Sequence, residues 1–344
     1  MIDLLVVGGG PAGLATAIHG AQRGFDVVVA EPRPAPVDKA CGEGLMPAAV
    51  RALKALDAQV PGRALRGIRY VDADDGRRAE ALFRTGYGLG ARRTLLHEAL
   101  TARVTQLGIP VIPHRIRQVS QYDTYVTADG IAARYLVAAD GLHSPTRRAL
   151  GMTVRPAPAT GRGALRYGLR RHYAVEPWSD LVEVHWSADC EAYVTPLGPR
   201  QVGVAILTSR QVPYDAQLAR FPLLASRLLD ADRTPARGAG PLRQQARSRV
   251  AGRVLFVGDA AGYVDALTGE GLTLALTAAD ALVRCLREGR PQAYERAWCR
   301  LSRTYRLLTK SLLWVRNQPR LAPLITPTAA RFPGLFQRGV NLLA

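Results

Sequence analysis

Residues 2–31, IDLLVVGGGPAGLATAIHGAQRGFDVVVAE, decide the fold of this 344-residue chain. An apolar run from Ile2 to Val7 precedes a glycine-rich turn, and a segment with helical character continues through Arg23. A second apolar run, Phe25 to Ala30, ends at the acid Glu31. The order of strand, turn, helix, strand and acid is typical of a Rossmann-like unit, in which the helix packs on a parallel sheet. The sequence therefore predicts an α/β fold.

The three glycines of the turn have separate physical roles. Gly8 permits a tight turn, Gly10 lets the backbone approach a pyrophosphate, and Gly13 lets the helix pack closely on the strand. The phosphates would meet the free amides and the positive dipole end of the helix. A carboxylate at the end of the second strand can accept the hydroxyls of an adenosine ribose. We therefore predict dinucleotide contacts at Gly8, Gly10, Pro11, Ala12, Gly13, Glu31 and Arg33.

The composition is that of an enzyme-sized globular chain. A hydrophobic content of 48% over 344 residues is enough for a sizeable core and for two joined domains. Cys41, Cys190, Cys285 and Cys299 are far apart and lack metal-ligand spacing, so we predict neither a disulfide framework nor a metal site. We find no basic leader and no apolar stretch of membrane-spanning length, and we expect a cytoplasmic protein.

The net charge of +18 raises the question of a polyanionic partner. Lysine occurs only at Lys39, Lys54 and Lys310, so the excess is almost all arginine, scattered along the chain without a basic tract. Codon bias in a GC-rich genome produces the same pattern, and we favour that explanation over nucleic-acid binding. The charge should still attract pyrophosphate groups.

Two later segments carry further glycine and aspartate motifs. The first is YLVAADGLHSPTR at residues 135–147, an apolar run that ends in Asp-Gly. The second is RVLFVGDAAG at residues 253–262, followed by TGEG at 268–271 and a long apolar helix. Together with the N-terminal turn, they resemble the three FAD-binding motifs of the para-hydroxybenzoate-hydroxylase-like flavoproteins. The resemblance covers roughly residues 1–290.

The resemblance implies a role for each motif. Asp140 and Gly141 would close the nucleotide domain, and Asp259 would hydrogen-bond the ribityl chain of FAD. A helix that begins near Gly271 would aim its N-terminal amides at the flavin and stabilise negative charge on the reduced ring. Arg93, in the segment RTLLHEAL, matches an arginine close to FAD in the family, with a solvated position on the helix face as the alternative. The expected further FAD contacts are Cys41, Gly42, Arg93, Asp140, Gly141, Gly258, Asp259, Gly269, Glu270, Gly271 and Leu272.

The same family implies the domain organisation. We predict a Rossmann-like FAD-binding domain of the glutathione-reductase type, an inserted antiparallel β-sheet substrate domain and a C-terminal helical segment. The FAD-binding domain comprises residues 1–64, 91–154 and 241–290, the substrate domain 65–90 and 155–240, and the helical segment 291–344. Alternation of period two in Leu181 to Trp186 and in Gln201 to Leu207 independently predicts half-buried antiparallel strands.

The segment KACGEGLMP at residues 39–47 bears on the reaction. It is similar to the Cys-Gly-(Gly/Glu)-Gly-Leu stretch of the geranylgeranyl-reductase branch, whose members saturate isoprenoid double bonds and place this loop beside the flavin. The chain departs from that branch at Ala266, where proline is usual, and in lacking the branch's tryptophan within Tyr193 to Pro196. We predict catalytic residues at Cys41, Gly42 and Glu43. Cys41 would donate a proton or shape the pocket, and the alternative is a small packing residue.

The reaction has two main alternatives. No second GxGxxG motif follows, so NAD(P)H must visit the flavin transiently or a partner reductase must supply electrons. We favour an NAD(P)H-dependent monooxygenase that adds O2 at C4a of the reduced flavin and hydroxylates or epoxidises a small hydrophobic aromatic, polyketide or isoprenoid substrate. The first alternative is an ene-reductase that saturates C=C bonds of a prenyl or polyene lipid. The second is a basic flavoprotein without turnover that binds membranes or nucleic acid.

Other chemistries lack their characteristic residues. Isolated histidines such as His143 and His185 suggest no hydrolytic site, and we interpret them as loop or surface residues. The Trp-x-Trp-x-Ile-Pro motif and catalytic lysine of flavin halogenases are missing, which disfavours halogenation.

Residues 296–315 have helical periodicity. Apolar positions are Leu301, Tyr305, Leu308, Leu312 and Val315, and basic positions on other faces are Arg300, Arg303, Arg306 and Lys310. Such a basic amphipathic helix can lie on an anionic membrane and reach a lipid-like substrate. We favour a helix packed on the FAD-binding domain with its arginines outward, and peripheral membrane contact is the alternative.

Overall fold

The computed structural model describes residues 1–154 and 165–344 of the chain, which form strands and helices. The strands are β1 (Ile2–Val7), β2 (Val27–Ala30), β3 (Gly44–Leu45), β4 (Arg63–Leu65), β5 (Gly67–Asp72), β6 (Arg78–Leu82), β7 (Gly88–Gly90), β8 (Val111–Ile112), β9 (Val119–Gln121), β10 (Val126–Ala128), β11 (Ile131–Ala138), β12 (Tyr167–Tyr173), β13 (Leu181–Trp186), β14 (Cys190–Gly198), β15 (Gln201–Thr208), β16 (Arg237–Ala239), β17 (Gln244–Gln245), β18 (Val250–Ala251), β19 (Val254–Phe256) and β20 (Gly262–Tyr263). The helices are α1 (Pro11–Gln22), α2 (Pro47–Ala55), α3 (Arg93–Gln106), α4 (Pro145–Ala149), α5 (Tyr214–Leu218), α6 (Pro222–Arg227), α7 (Gly271–Arg287), α8 (Ala293–Asn317), α9 (Ile325–Arg331) and α10 (Pro333–Asn341), with short 3-10 turns at Gly258–Ala261 and Ala322–Leu324.

The first large sheet contains the N-terminal glycine motif. Its order is β18-β19-β11-β1-β2-β8, and β10 and β9 continue it from the first half of β11. The pairs from β19 to β8 are parallel, whereas β9, β10 and β18 join antiparallel. Leu4, Leu5 and Val6 of β1 are fully buried because α1 packs on β1 and β2 and is itself backed by α3 and α7. This arrangement confirms the predicted α/β, Rossmann-like class.

The second large sheet has the order β16-β12-β15-β14-β13-β5-β6 and is antiparallel except between β13 and β5. The strands predicted at 181–186 and 201–207 are confirmed as β13 and β15. The prediction that they are half-buried is wrong, because both faces of the sheet are covered. Val204 and Ile206 of β15 pack with α5 and α6 on one face, and Leu207 joins a second apolar cluster on the other.

Polar residues of β13 are buried as a group. Nε2 of His185 lies 3.1 Å from Oε2 of Glu183, and Nε1 of Trp178 donates to the same carboxylate oxygen at 2.9 Å. The interpretation of His185 as a surface residue is therefore wrong, since its contact with Glu183 satisfies a ring nitrogen inside the sheet. His143 is exposed, as expected for a loop residue.

The described residues also form two separate small sheets, one of strands β3-β7-β4 and one of strands β17-β20. The second large sheet takes its strands from segments 65–90 and 155–240, and the first takes its strands from the remaining segments before residue 291. The domain boundaries themselves stay a prediction. Residues 155–164, at the start of the second predicted substrate segment, lie outside the described residues.

The helices after residue 291 cover both sheets. Tyr294 and Trp298 of α8 are buried in the core that contains α7, whereas α9 and α10 pack on β6. Because Arg300 and Arg303 are exposed, the prediction of a packed helix with outward arginines is confirmed. Arg316 is an exception, because it is buried in an ion pair with Glu191. Among the described helices, none has both the length and the apolar composition needed to cross a bilayer.

Candidate functional site

A large cleft lies between the two sheets and the helices α8 and α10. Its volume of about 1140 Å³ exceeds the roughly 300–1,000 Å³ that is usual for small-molecule sites. Its wall combines the glycine motifs, the loop 39–44 and apolar side chains of α8 and α10. The cleft therefore has room for more than one small molecule.

Most of the predicted site residues meet in this cleft. The wall contains Gly10, Pro11, Ala12, Cys41, Gly42, Glu43, Arg93, Asp140, Gly141, Gly258, Asp259, Gly269, Gly271 and Leu272. Five predicted residues are not part of the wall: Gly8, Gly13, Glu31, Arg33 and Glu270. Of these, Glu31 contacts the glycine turn at Gly9, and Glu270 directly precedes α7.

The glycine turn is as crowded as its sequence predicts. A Cβ on Gly13 would come within 1.9 Å of the carbonyl oxygen of Gly8, and Gly8 itself has a φ of 109°. At Gly10 the closest atom to an added Cβ is Nη2 of Arg93, at 3.8 Å. Gly8 and Gly13 are thus required for close packing, whereas Gly10 leaves its side of the turn open to the cleft.

Glu31 is fixed to the turn from behind. Its Oε2 accepts a hydrogen bond from the backbone N–H of Gly9 at 2.8 Å, and its Oε1 accepts one from Nε of Arg33 at 2.7 Å. Burial raises the pKa of Glu31, but the hydrogen bonds from Arg33 and Gly9 outweigh it and hold this pKa below its ordinary value. The carboxylate is therefore ionised, and the backbone N–H of Gly9 together with three N–H groups of Arg33 fill its four acceptor positions.

Arg147 joins the second motif to the third. Its buried guanidinium donates from Nη1 to the carbonyl oxygen of Ala260 at 2.9 Å and from Nη2 to that of Leu142 at 2.9 Å. In the same turn, Oδ2 of Asp140 accepts a hydrogen bond from the backbone N–H of Thr146 at 2.9 Å. The two loops therefore form one rigid edge of the cleft.

Charged groups around this edge are incompletely paired. Nη1 of Arg93 and Oδ1 of Asp140 are buried, and neither has a hydrogen-bond partner within residues 1–154 and 165–344. Arg93 is buried, so the alternative of a solvated arginine is wrong. Since buried polar groups are nearly always satisfied, both atoms indicate a bound polar ligand.

Lys39 connects the acids of the first and third motifs. Burial lowers the pKa of Lys39, while the negative charges of Asp259 and Glu31 both act to raise it. Burial raises the pKa of Asp259, which the positive charges of Lys39 and Arg93 oppose. Glu31 and Asp259 thus lie within electrostatic range of one ammonium group. The open turn at Gly10, the free N–H of Arg93 and the carboxylates suit the phosphates, sugars and hydroxyls of FAD.

The loop 41–44 is pinned by buried polar contacts. Oε1 of Glu43 accepts a hydrogen bond from the backbone N–H of Arg93 at 2.8 Å, and Oε2 of Glu43 lies 2.7 Å from Nε2 of His172. The hydroxyl of Thr195 donates to the carbonyl oxygen of Gly42 at 2.7 Å. Glu43 has a φ of 59°, a strained value for a residue other than glycine. The contacts compensate for this strain and fix the loop in the cleft wall.

Cys41 presents a neutral thiol at this wall. Burial raises the pKa of Cys41, and the negative charge of Glu43 adds to the effect, although the positive charge of Arg93 opposes it. Sγ of Cys41 also accepts a hydrogen bond from the backbone N–H of Glu43 at 3.4 Å. At neutral pH the group is a thiol with a proton to give, and it is a poor nucleophile.

The rest of the cleft is mostly apolar. The second large sheet contributes Ile68, Val182, Val184, Ala205 and Leu207, α8 contributes Leu308, Leu312 and Val315, and α10 with the residues after it contributes Phe336, Val340 and Leu343. The nearby hydroxyl of Tyr193 is occupied, since it donates to the carbonyl oxygen of Leu267 at 2.6 Å. This part of the cleft offers dispersion contacts and few free polar groups, which favours a hydrocarbon ligand.

Sequence reasoning missed three polar side chains that shape the site: Lys39, Arg147 and His172. Lys39 and Arg147 stand inside segments quoted for their glycines, so their charge and position were available signals. His172 gave no such signal, because its partner Glu43 is 129 positions away in the chain.

Comparison with known proteins defines the class of the chain. A family model for an NAD(P)-binding Rossmann-like domain matches residues 6–36. The structure of a flavin-dependent brominase has a TM-score of 0.83 and 17% identity, covering 99% of this chain and 93% of that one. A geranylgeranyl bacteriochlorophyll reductase-like protein from Thermoplasma acidophilum has a TM-score of 0.79 and 20% identity. The match covers 100% of this chain and 93% of that one. These likenesses show the fold, and the fold and site together define an FAD-dependent oxidoreductase, as the sequence predicted.

Sequence relatives narrow this class. The menaquinone reductase of Mycolicibacterium smegmatis is 29% identical over 99% of this chain and 91% of its own length. The menaquinone reductase of Mycobacterium tuberculosis is 31% identical over 80% of this chain and 74% of its own length. Digeranylgeranylglycerophospholipid reductase 2 of Methanopyrus kandleri is 26% identical over 80% of this chain and 74% of its own length. The chain belongs to the family of FAD-dependent oxidoreductases that contains the mycobacterial menaquinone reductases.

Proposed function

We propose that this enzyme is an FAD-dependent ene-reductase that saturates a C=C bond in the prenyl chain of a lipid, such as an isoprenoid quinone. The observation that carries the proposal is the continuous cleft, in which an apolar region lined by α8 and α10 adjoins the loop of Cys41. A long hydrocarbon chain needs such a surface, and a compact aromatic substrate does not. The names of the relatives support the same chemistry, because menaquinone and digeranylgeranylglycerophospholipid both contain prenyl chains.

Residues of three motifs would hold the FAD. We assign the pyrophosphate to the open side of Gly10 and the N–H groups of Arg93, and the ribityl chain to Asp259. The adenosine ribose would bind Glu31 by displacing the side chain of Arg33, which is 43% exposed. Bound FAD supplies hydride transfer to the alkene. Gly271 begins α7, so the positive end of that helix dipole faces the cleft and stabilises negative charge there.

Saturation of an isolated alkene needs a proton as well as a hydride. One carbon of the C=C bond receives the hydride and the other receives the proton, so that two C–H bonds form and the π bond is lost. The neutral thiol of Cys41 in the cleft wall is suited to give that proton, and water then returns a proton to the thiolate. In this role Cys41 is the general acid of the reaction.

Glu43 would act as a positioning residue. Both of its carboxylate oxygens are engaged, one by the backbone of Arg93 and one by His172, and the side chain is buried. It therefore holds the loop of Cys41 in place. The prediction that Glu43 is catalytic becomes the proposal that it acts through Cys41, and Gly42 gives the loop its exposed turn.

The monooxygenase favoured from the sequence stays a prediction, and one experiment separates it from the reductase. The holoenzyme is reduced by NAD(P)H or dithionite and mixed with a prenylated quinone, once without O2 and once with it, and the products are weighed by mass spectrometry. We expect a gain of two hydrogens per chain under both conditions. A gain of one oxygen that requires O2 would overturn the proposal in favour of oxygenation. Failure of NAD(P)H but not of dithionite would indicate a partner reductase.

A further inference from the structure

The helices that line the apolar part of the cleft also carry apolar side chains on their outer faces. Leu307 and Trp314 of α8 are 63% and 60% exposed, and Leu335 of α10 and the following Leu342 are 68% and 64% exposed. Each pair is seven positions apart, which places its members on one face of a helix two turns apart. Single exposed leucines are ordinary, but this repeated spacing on two helices marks an interaction surface.

This outer surface borders the cleft. Leu308, Phe336 and Leu343 each follow an exposed apolar residue in the chain and line the cleft. Apolar surface therefore continues from solvent over α8 and α10 to the interior. A hydrocarbon chain that enters along this route stays in apolar contact.

The charge around the surface is strongly positive. Residues 296–344 contain nine arginine and lysine residues and no aspartate or glutamate. Arg303, Lys310, Arg331 and Arg338 are exposed, whereas Arg316 is buried in its ion pair. Apolar side chains within a field of cations match the interface of an anionic bilayer, where tryptophan and leucine enter the headgroup region and cations meet the lipid phosphates.

We propose that α8 and α10 dock on an anionic phospholipid bilayer and that the prenyl chain passes from the bilayer into the cleft between them. A second copy of this chain is a poorer occupant, because two such surfaces would bring like charges together. The docking itself is independent of the reaction, whereas the entry route rests on the proposed function.

Binding to vesicles without substrate tests the docking. Holoenzyme is sedimented with vesicles of phosphatidylcholine alone and of phosphatidylcholine with phosphatidylglycerol, over a range of salt concentrations. We expect binding to the anionic vesicles that weakens as salt rises. The double variants Trp314→Ser with Leu335→Ser, and Arg303→Glu with Lys310→Glu, should each bind roughly tenfold or more weakly.

Matched controls are Leu229→Ser and Arg115→Glu, which change exposed residues outside these helices and should bind like the wild type. FAD absorbance and melting temperature show that each variant is folded. Equal binding to neutral and anionic vesicles, or wild-type binding by both double variants, would overturn the docking. The docking would also be overturned if the double variants convert a dimer into a monomer, because the surface is then an interface between copies of this chain.

The two proposals fail separately. Reduction of a short, water-soluble prenyl substrate tests the chemistry without a membrane, and the double variants should retain it while losing activity on vesicle-embedded substrate. Vesicle binding without any reduction would contradict the proposed function and leave the docking surface intact. Reduction of the soluble substrate without vesicle binding would contradict the docking surface and leave the proposed function intact.

Discussion

Nε2 of His172 lies 2.7 Å from Oε2 of Glu43, and both side chains are buried. The contact joins β12 of the second large sheet to the loop that carries Cys41. It thereby couples the two sheets at the point where the glycine motifs and the apolar part of the cleft meet. Removal of one partner leaves the other polar group buried without its bond, which is more costly than loss of an exposed contact.

We therefore expect His172→Ala to destabilise the enzyme by about 3 kcal/mol and to slow alkene reduction, because Glu43 no longer holds the loop. The melting temperature and kcat measure these two effects. FAD should remain bound, since the residues assigned to FAD are untouched. His143→Ala, at an exposed histidine of the same cleft, is the control and should change the melting temperature little. A His172→Ala enzyme with wild-type stability and kcat would show that the pair is dispensable.

Replacement of the thiol tests the proton donor. Cys41→Ala should lower the rate of alkene reduction by about 10²-fold or more, the usual contribution of a general acid. Reduction of the flavin by NAD(P)H should proceed at the wild-type rate, because that step needs no proton from Cys41. Stopped-flow absorbance separates the two half-reactions. Cys299→Ala, at an exposed cysteine, is the control. An equal loss in both half-reactions would point to altered FAD binding instead of proton transfer.

Arg93 should contribute strongly to FAD binding. Its buried Nη1 has no partner among the described residues, and its Nη2 lies at the open side of the glycine turn. We expect Arg93→Gln to raise the Kd of FAD by roughly 10-fold or more, as for loss of a charge-assisted hydrogen bond. Fluorescence titration of the apoprotein with FAD measures the change, with Arg115→Gln as the exposed control. Wild-type affinity in Arg93→Gln would exclude this contact.

Glu270, at the start of α7, should make stability depend on pH. Burial raises the pKa of Glu270 from its ordinary 4.5 to about 8, and its Oε1 has no partner among the described residues. Because the pKa of Glu270 is higher in the folded than in the unfolded state, its stabilising contribution to the free energy of unfolding is complete below its ordinary pKa. This contribution is lost as the pH rises through about 8. Glu270→Gln stays neutral throughout, so its melting temperature should rise relative to the wild type between about pH 5 and about pH 9. The control is Glu288→Gln, at an exposed residue that follows the same helix, and its melting temperature should follow the wild type at every pH. A difference in melting temperature between Glu270→Gln and the wild type that stays constant with pH would contradict a buried, neutral Glu270.

Local pattern was enough to predict four strands of the first large sheet, β1, β2, β11 and β19, and the motifs that follow them. β1 has the predicted bounds, Ile2–Val7, and α7 begins at the predicted Gly271. Both follow from features that the sequence shows directly, namely apolar runs and glycines at positions where a Cβ would clash. The residues of three distant motifs then meet because parallel strands bring their carboxyl ends to one edge.

Burial and long-range pairing could not be read in the same way. Glu183 and His185 look like the solvent face of an alternating strand, yet they pair with each other inside the sheet. Arg93 was as compatible with solvent as with the cleft, because its burial depends on Glu43 and on the position of the glycine turn. The pairing of Glu43 with His172 depends on the packing of one domain against another, for which one sequence has no local signature.

In the proposed reaction, the apolar part of the cleft holds the prenyl chain while its double bond reacts beside Cys41. The most direct test is kcat/KM of Leu312→Trp and of the wild type with long-chain and short-chain prenyl substrates in detergent, since the added ring would fill the cleft at α8. For Leu312→Trp we expect a large fall in kcat/KM with the long chain, little change with the short chain, and unchanged FAD content. An equal fall for both substrates, or no fall for either, would contradict it.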